Sequence, residues 1–552
     1  MIIPTKALDR YALYRDLVNA CLVSRQDRMG AYEQWRNYYL WGSSLDSEPA
    51  VYNKIEPAID LFTSFVFAGE TTKFAIELGD TVDFDVHGTK VDPMKTRLNT
   101  NWHRWNTDIV FSGGLDWSCA FGSMILKFVV RGNRLVPYLI EPHNFGVLNE
   151  SVAFLDDQEA FCHSYTVGVS AFKRMISDHP RRHEIEESVA KSMRATVHDG
   201  PAGVQRILMS TFPMAGTGES AGRVNNLYGV TERYRARVSE ETVEMRELWV
   251  WNDAINDYQI ANIDSGGTTI YDRRNFFMES EHPCVMVTPV WQYDYIWGRS
   301  MIDGLINLQD LREVRLAQIR ELLDRQVKPP TSQKGQWQGP PDEIAYAMQV
   351  FGAGVSTSDP TADFKAWYPN VPQDTFTEVR EIDAMFDEKT GLPRVMQGKG
   401  ESGVRSRSQT SELARLGSSR TKKKAYTLED ALEKIGYLMV RGMQTYDDRP
   451  MIQRDHEGKV VGKFIAEQFP RDFICKVDGH SSSPIFVEDH KQLSFDLFQA
   501  RAIDRRELID AVDPPNKQQL QQGLRIMEKR EVAAQQAQAQ AEEKKERLKL
   551  LK

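Results

Sequence analysis

The chain has 552 residues, 41% of them hydrophobic and 27% charged, which is enough for a large buried core; a chain of this length corresponds to roughly three or four domains. Its 36 glycines and 24 prolines are an ordinary share and exclude a collagenous or wholly low-complexity chain. A formal net charge of −9 has the wrong sign for a protein that grips nucleic acid over most of its surface, so any DNA contact is expected to be local or fleeting.

The longest apolar stretch, Leu61 to Gly69, is closed by Asp60 and Glu70 and falls far short of the ~20 residues of a membrane span. No stable membrane association is expected. The N-terminus, MIIPTKALDRYALYR, lacks a cationic start, apolar run and small-residue cleavage site, so a cytoplasmic setting is expected. Five widely spaced cysteines, Cys21, Cys119, Cys162, Cys284 and Cys475, fit reduced, buried thiols rather than a disulfide framework.

In chain order, apolar spacing from Asp9 to Trp41 predicts two amphipathic helices stopped by Gly42-Ser43-Ser44, and Ile55–Phe67 predicts a third with Pro57 in its first turn. Phe74 to Val86 alternates like a strand. Trp102–Phe121 returns to helical spacing and leads into a hairpin, Ser123–Val130 and Leu135–Ile140, around Gly132-Asn133. Strands are predicted at Glu159–Gly168, Tyr228–Val238, Thr242–Trp251 and Tyr258–Ile263, with helices at Val169–Ser177 and Arg182–Arg194. The N-terminal half is therefore α+β, interrupted by a glycine- and serine-rich loop at Gly200–Arg223.

From Ser300 to about Arg325 a continuous helical pattern carries Ile302, Leu305, Leu308, Leu311, Leu316, Ile319 and Leu323 as one stripe. Such a helix is roughly 38 Å long, and Pro329-Pro330 end it. Lys334–Tyr368 reads as a compact insert with a short helix at Asp342–Val350, after which Phe376–Asp387 resumes helix: the chain goes out, turns through a small domain and comes back. A glycine, serine and arginine segment, Gly391–Gln409, precedes a long helix from Thr410 to about Tyr446 whose core set is Leu428, Leu432, Ile435, Leu438 and Met443. Lys459–Val477 reads as strand and turn and Asp489–Leu508 as helix, and the tail from Asn516 is a marginal helix or disordered.

Motifs for chemistry are sparse. Gly398, Gly400 and Gly403 satisfy G-x-G-x-x-G, but no parallel strand precedes them and Lys422–Lys424 stand where an acid would hold a ribose, so a flexible loop is the better reading. No Walker-type phosphate loop occurs. His179 and His183 have Pro180 between them and no third ligand nearby, which reads as two surface histidines. No metal site, cofactor or catalytic residue is predicted, and the chain is read as not an enzyme. More weight falls on a basic segment in which Arg394, Lys399, Arg405, Arg407, Arg415, Arg420, Lys422, Lys423 and Lys424 face only Glu401 and Glu412. The lysine run alone also suits a solvated helix face, whereas a flexible glycine-arginine loop suits a moving polyanion.

The order long helix, insert, returning helix, flexible loop, long helix resembles the core of phage portal proteins, the head-to-tail connectors, of the short-tailed type. Three stretches carry the resemblance: Trp297-Gly298-Arg299-Ser300 leading into DGLINLQDL, DAMFDEKTGLPRVMQG (Asp383–Gly398), and SRSQTSELARLGSSRTKKKAYTLEDALEKIGYLMVRGM (Ser406–Met443). The resemblance implies a mixed α+β fold with wing, stem, clip and crown, assembling into a ring. It divides the chain into an N-terminal wing (1–290), first stem helix (291–327), clip-like insert (328–371), second stem helix (372–390), tunnel loop (391–409), long wing helix with a small strand patch (410–484), and helical crown and tail (485–552).

It further implies a channel at one capsid vertex of a virion, assembled in the host cytoplasm, through which double-stranded DNA is packaged and ejected. The implied partners are further copies of the chain, usually twelve in the ring, the terminase large subunit, tail adaptor or nozzle proteins, and the major capsid and scaffolding proteins. Arg394, Lys399, Arg405 and Arg407 would touch DNA in the tunnel loop, Arg420 and Lys422–Lys424 would form a secondary basic run, and Ile302, Leu305, Leu308, Leu311, Leu316 and Ile319 would pack the stem. The runner-up readings are another virion structural or head-tail joining protein, and a DNA-processing enzyme, which would require a clustered acidic metal site that the sequence does not offer.

Overall fold

The computed structural model describes residues 1–44, 52–67, 72–198, 242–264, 266–293, 295–327, 331–334, 359–361, 363–366, 374–390, 419–454, 460–477 and 493–512, with a few isolated positions up to 527. The chain divides into two compact units, Met1–Thr63 with Phe74–Lys476, and Ser64–Lys73 with Val477–Lys552. Helices and sheets are mixed throughout the first. The second contains helical residues 493–499 and the helix Arg505–Val512, parted by the left-handed residue Arg501 (φ 58°), so the single helix predicted over Asp489–Leu508 is two where described.

The first unit opens with α1 (Ala7–Trp41), one continuous helix of 35 residues where two are predicted. The helix runs through the exposed Gly30, since a single exposed glycine costs a helix only about 1 kcal/mol relative to alanine. The stop falls where predicted: Gly42 takes φ 64° and its N–H bonds to the Tyr38 carbonyl at 3.0 Å. α2 (Ile55–Val66) also matches its prediction.

β1 (Phe74–Leu78) is shorter than the alternation suggests, because the chain turns helical at α3 (Phe84–Arg104), which carries Pro93 internally. The predicted helix over Trp102–Phe121 is the end of α3 followed by α4 (Thr107–Phe121), parted at Asn106, which takes φ 56°. Asparagine tolerates that left-handed conformation better than most residues. β2 (Met124–Arg131) and β3 (Arg134–Ile140) form the predicted hairpin in register from Ile125–Ile140 to Arg131–Arg134, with Gly132 at φ 62°.

Next come β4 (Phe145–Val147), β5 (Ala160–Gly168), α5 (Val169–Met175) and α6 (Arg182–His198), followed by β6 (Thr242–Asn252), β7 (Asp257–Asp264), β8 (Thr269–Arg274) and β9 (Cys284–Val287). β4 to β8 pair in chain order as an antiparallel sheet, while β9 joins the hairpin in the order β3-β2-β9. Alternation along β6 decides what each sheet face buries. Leu248 and Val250, with Cys162 and Ala261, pack under Leu17, Val18 and Cys21 of α1, whereas Val243 and Met245 pack with Phe172 of α5, Ile176 just after it, and Ile185 and Val189 of α6. All five cysteines are buried and none is in a disulfide. The predicted strand Tyr228–Val238 and the loop Gly200–Arg223 lie outside the described residues.

A buried polar bridge joins the two sheets. Lys127 of β2 reaches Glu247 of β6 at 2.8 Å and lies 3.5 Å from His163 of β5, and the Trp249 indole donates to Glu247 at 2.6 Å. Burial, seconded by the Lys127 charge, pushes the His163 imidazole down to about 3, so it is neutral at physiological pH.

The core set predicted for the long helix, Leu428, Leu432, Ile435, Leu438 and Met443, is buried along α9 (Ser419–Tyr446), which packs on β3 and β9. The patch beyond it is β12 (Met451–Arg454), β13 (Val460–Phe464) and β14 (Phe473–Val477), the last beside β1. Glu247→Ala leaves the Lys127 ammonium buried and unpaired. It is expected to cost about 3 kcal/mol, most of it recovered in Lys127→Met/Glu247→Leu, as read from urea unfolding of the two variants.

Candidate functional site

Within the segment that the sequence singles out most strongly, Trp297 to Gln409, the described residues 297–327, 331–334, 363–366 and 374–390 form an out-and-back arm. Its outgoing helix, α7 (Ile306–Val327), has 22 residues and starts six residues after the predicted Ser300. Ser300 explains the difference. Its hydroxyl donates to the Ala120 carbonyl at 2.5 Å and accepts the Ile302 N–H at 3.0 Å, which holds residues 300–305 in a turn seated on the end of α4. Ile302 and Leu305 are buried in that turn, not on the helix.

The seat is built from the Trp-Gly-Arg-Ser stretch. The Arg28 guanidinium of α1 lies 3.7 Å over the Trp297 ring, and both reach Glu150, Arg28 at 2.8 Å and the Trp297 indole at 3.0 Å. Gly298 and Gly122 pass backbone to backbone: a Cβ on either would sit 2.2 Å from the other's carbonyl oxygen, and Gly122 takes φ 84°. Ser123 and the Arg299 and Met301 amides complete the seat, with Gly298 N–H to Ser123 Oγ at 3.0 Å, Arg299 N–H to the Val290 carbonyl at 2.9 Å and Met301 N–H to the Cys119 carbonyl at 2.9 Å. The Trp35 indole donates to Asp303.

The returning helix α8 (Asp374–Thr390) lies antiparallel to α7. Three pairs fix the direction, since Gly304 abuts the Lys389 stem, Arg312 meets Asp383 at 3.0 Å and Arg315 meets Glu378 at 2.8 Å. The same out-and-back course continues in β10 (Thr331–Lys334) and β11 (Asp363–Ala366), paired antiparallel from Thr331–Ala366 to Lys334–Asp363. The chain between them belongs to the predicted insert, and its predicted helix Asp342–Val350 lies outside the described residues.

The buried side of α7 coincides with the apolar stripe only at Ile319. Its buried residues are Gln309, Arg312 and Ile319, while Leu308 and Leu316 are half-buried and Leu311 is 40% exposed. Gln309 is held at both ends of its amide, donating to the Tyr52 carbonyl at 3.1 Å and accepting the Lys54 N–H at 3.3 Å. Asp383 accepts from Lys54 at 2.9 Å and from Arg312 at 3.0 Å, and the Tyr52 ring covers the Arg312 guanidinium. Tyr38 of α1 adds a bond to Asp310 at 2.9 Å. Burial alone would raise the Asp383 carboxyl, but hydrogen bonds and charge from Lys54 and Arg312 outweigh it and hold the group below the ordinary carboxylate value.

Periodicity does not find this seam, because charged residues on a helix are read as solvent-facing. The available signal is Gln309, Arg312 and Arg315 at threefold spacing beside Ile319. Of the predicted basic residues, Lys424 is half-buried, its ammonium 4.7 Å over the Phe62 ring and 4.0 Å from the Met301 sulfur. Arg394, Lys399, Arg405 and Arg407, the side chains of Arg420, Lys422 and Lys423, and the G-x-G-x-x-G glycines lie outside the described residues. His179 accepts the Arg181 N–H at 3.1 Å and its ring packs on Tyr271. Among the described residues no cluster of three or more His, Cys, Asp or Glu could hold a metal, and no helix is long and apolar enough to cross a membrane.

No known protein family and no curated protein matches the chain. Among solved structures it is similar to a chain in the virion of a native gene transfer agent particle (TM-score 0.38, 11% identity, 83% of this chain and 89% of that one). It is similar to one in the native particle's neck in C12 symmetry (0.37, 11%, 83% and 89%) and to one in the empty particle's neck in C6 symmetry (0.34, 11%, 74% and 79%).

Asp383→Ala leaves Lys54 and Arg312 without their shared carboxylate, although Asp387, 3.7 Å from Lys54, partly compensates. The expected loss is about 2 kcal/mol, discounted because Asp383 is itself part-exposed, and tryptic cleavage within α7 should become faster. Because the native carboxyl titrates below its ordinary value of 3.8, its contribution is present above that pH and is lost as the pH falls through the lowered value. Wild type and Asp383→Asn should therefore converge in stability in acid.

Proposed function

We propose that the chain is a portal-type head-to-tail connector: a ring-forming virion protein whose central channel passes double-stranded DNA during packaging and ejection. The observation that carries the reading is the arm. An antiparallel helix pair, bolted to a mixed α+β body by an ion-paired seam, continues into a two-stranded ladder and brackets an insert, which is the mechanical layout of a stem that holds a clip away from a wing.

In this reading residues 1–290 are the wing, 291–327 and 372–390 the stem, 328–371 the clip, 391–409 the tunnel loop, 410–484 the returning wing helix with its strand patch, and 485–552 the crown. The clip is the docking point for terminase and then for the tail adaptor, and capsid and scaffolding proteins surround the wing. A head-to-tail ring requires two different faces on each subunit. α7 offers Leu311 and Val314, 40% and 52% exposed, on the side away from the Arg312 seam.

Charge favours a conduit over a clamp. Affinity from counterion release rises with the number of phosphates neutralised, so a chain of net charge −9 with a local group of cations at Arg394, Lys399, Arg405 and Arg407 touches DNA without stalling it. The work of packaging would belong to a separate ATPase, and the chain itself is read as a non-enzymatic gate.

Negative-stain imaging of the full-length protein, with light scattering for mass, tests the reading. Closed rings with a central hole and a mass near twelve subunits are expected, whereas a stable monomer with nuclease or ATPase activity would sink it. Reversing Lys399, Arg405 and Arg407 to glutamate should impair packaging or retention of DNA, and unchanged packaging would remove the loop from the channel. Deleting Gly335–Pro369 should leave rings that no longer bind terminase or adaptor; retained binding would place the partner site elsewhere.

A further inference from the structure

We propose that the cavity between α1 and the turn joining β7 to β8 binds a small tetrahedral oxyanion of the phosphate class. Its lining is Arg15, Val18 and Asn19 of α1, Arg246 of β6, Ile263 of β7 and the Gly266-Gly267 turn, and its volume is about 110 Å³. Sites for drug-sized ligands occupy roughly 300–1,000 Å³, so this one suits an ion with its residual waters and is too small for a nucleoside.

Two arginine side chains line the space, and planar guanidinium forks match the oxygens of such an anion. Each has a carboxylate neighbour at ion-pair rather than hydrogen-bond distance. Arg15 Nε stands 3.7 Å from Asp16 and Arg246 Nε stands 3.7 Å from Glu244, both beyond hydrogen-bond range. Arg246 Nε is buried and has no hydrogen-bond partner among the described residues. A buried donor left unmet is costly.

The nearest carboxylate of the turn is already engaged: Asp264 accepts from the Ser188 hydroxyl at 2.8 Å and from the Thr268 N–H at 2.6 Å. The glycines keep the floor open, since Gly267 takes φ 85° and a Cβ there would sit 3.1 Å from the Arg15 side chain. An oxyanion here ties α1 to the five-stranded sheet on which it packs. The proposal is independent of the portal reading and stands or falls without it.

The test is calorimetric titration of the full-length protein with inorganic phosphate, beside thermal melting, against sodium chloride at matched ionic strength and against a short thymidine oligonucleotide. Wild type should show saturable phosphate binding with a raised melting temperature, weakened by about tenfold or more in Arg246→Gln and in Arg15→Gln. Arg15 is exposed on a helix surface, so Arg15→Gln decides the matter if Arg246→Gln melts lower in chloride. Absence of saturable heat beyond chloride, undiminished binding in Arg15→Gln, or saturation by the oligonucleotide alone would each overturn the proposal.

Discussion

The arm depends on one shared carboxylate. Asp383 takes hydrogen bonds from Lys54, at the start of α2, and from Arg312, in the middle of α7, so a single side chain on the returning helix fastens both the outgoing helix and the body. Such an arrangement is expensive to break, because removing one partner strands the others in a half-buried, low-dielectric seam. The body contributes twice more, through Tyr38 to Asp310 and through the Tyr52 carbonyl to Gln309. The base of α7 is therefore held by polar contacts from α1 and from the chain leading into α2.

A second constraint works at the root of the same helix. The crossing of Gly122 and Gly298 leaves no room for a side chain, and the hydroxyl of Ser300 spans from the end of α4 to the turn before α7. Arg28, Trp297 and Glu150 close the crossing from the α1 side. Together they aim the arm: the direction in which α7 leaves the body is set before its first helical residue.

Where local signals agree with packing, the sequence is readable. Gly132-Asn133 marks a hairpin that forms with Gly132 in the left-handed region; the spacing in Leu428–Met443 marks a helix face that is buried throughout; and β5, β6 and β7 fall within one or two residues of their predicted spans. Failures occur where a local signal is overruled. The spacing over Asp9–Trp41 reads as two helices where α1 is one, Ile302 and Leu305 continue the α7 stripe in register while lying in a turn, and the alternation up to Val86 hides the start of a helix. At the arm, the out-and-back course is legible and the polar seam is not, since no periodicity distinguishes an arginine that pairs across helices from one that faces water.

That seam also explains why polar residues occupy a place where leucine would seem simpler. An antiparallel pair packed only through Leu308, Leu316 and Ile319 could slip by one turn and still bury aliphatic surface. A slip of the same size would separate Arg312 from Asp383 and Arg315 from Glu378 together, leaving guanidinium groups without partners and Gln309 away from the Tyr52 carbonyl. Buried polar groups are best attested in fixing register rather than in adding stability. In a helix pair that continues into the β10–β11 ladder, register is the property that matters, because a one-turn slip moves the far end by about 5.4 Å.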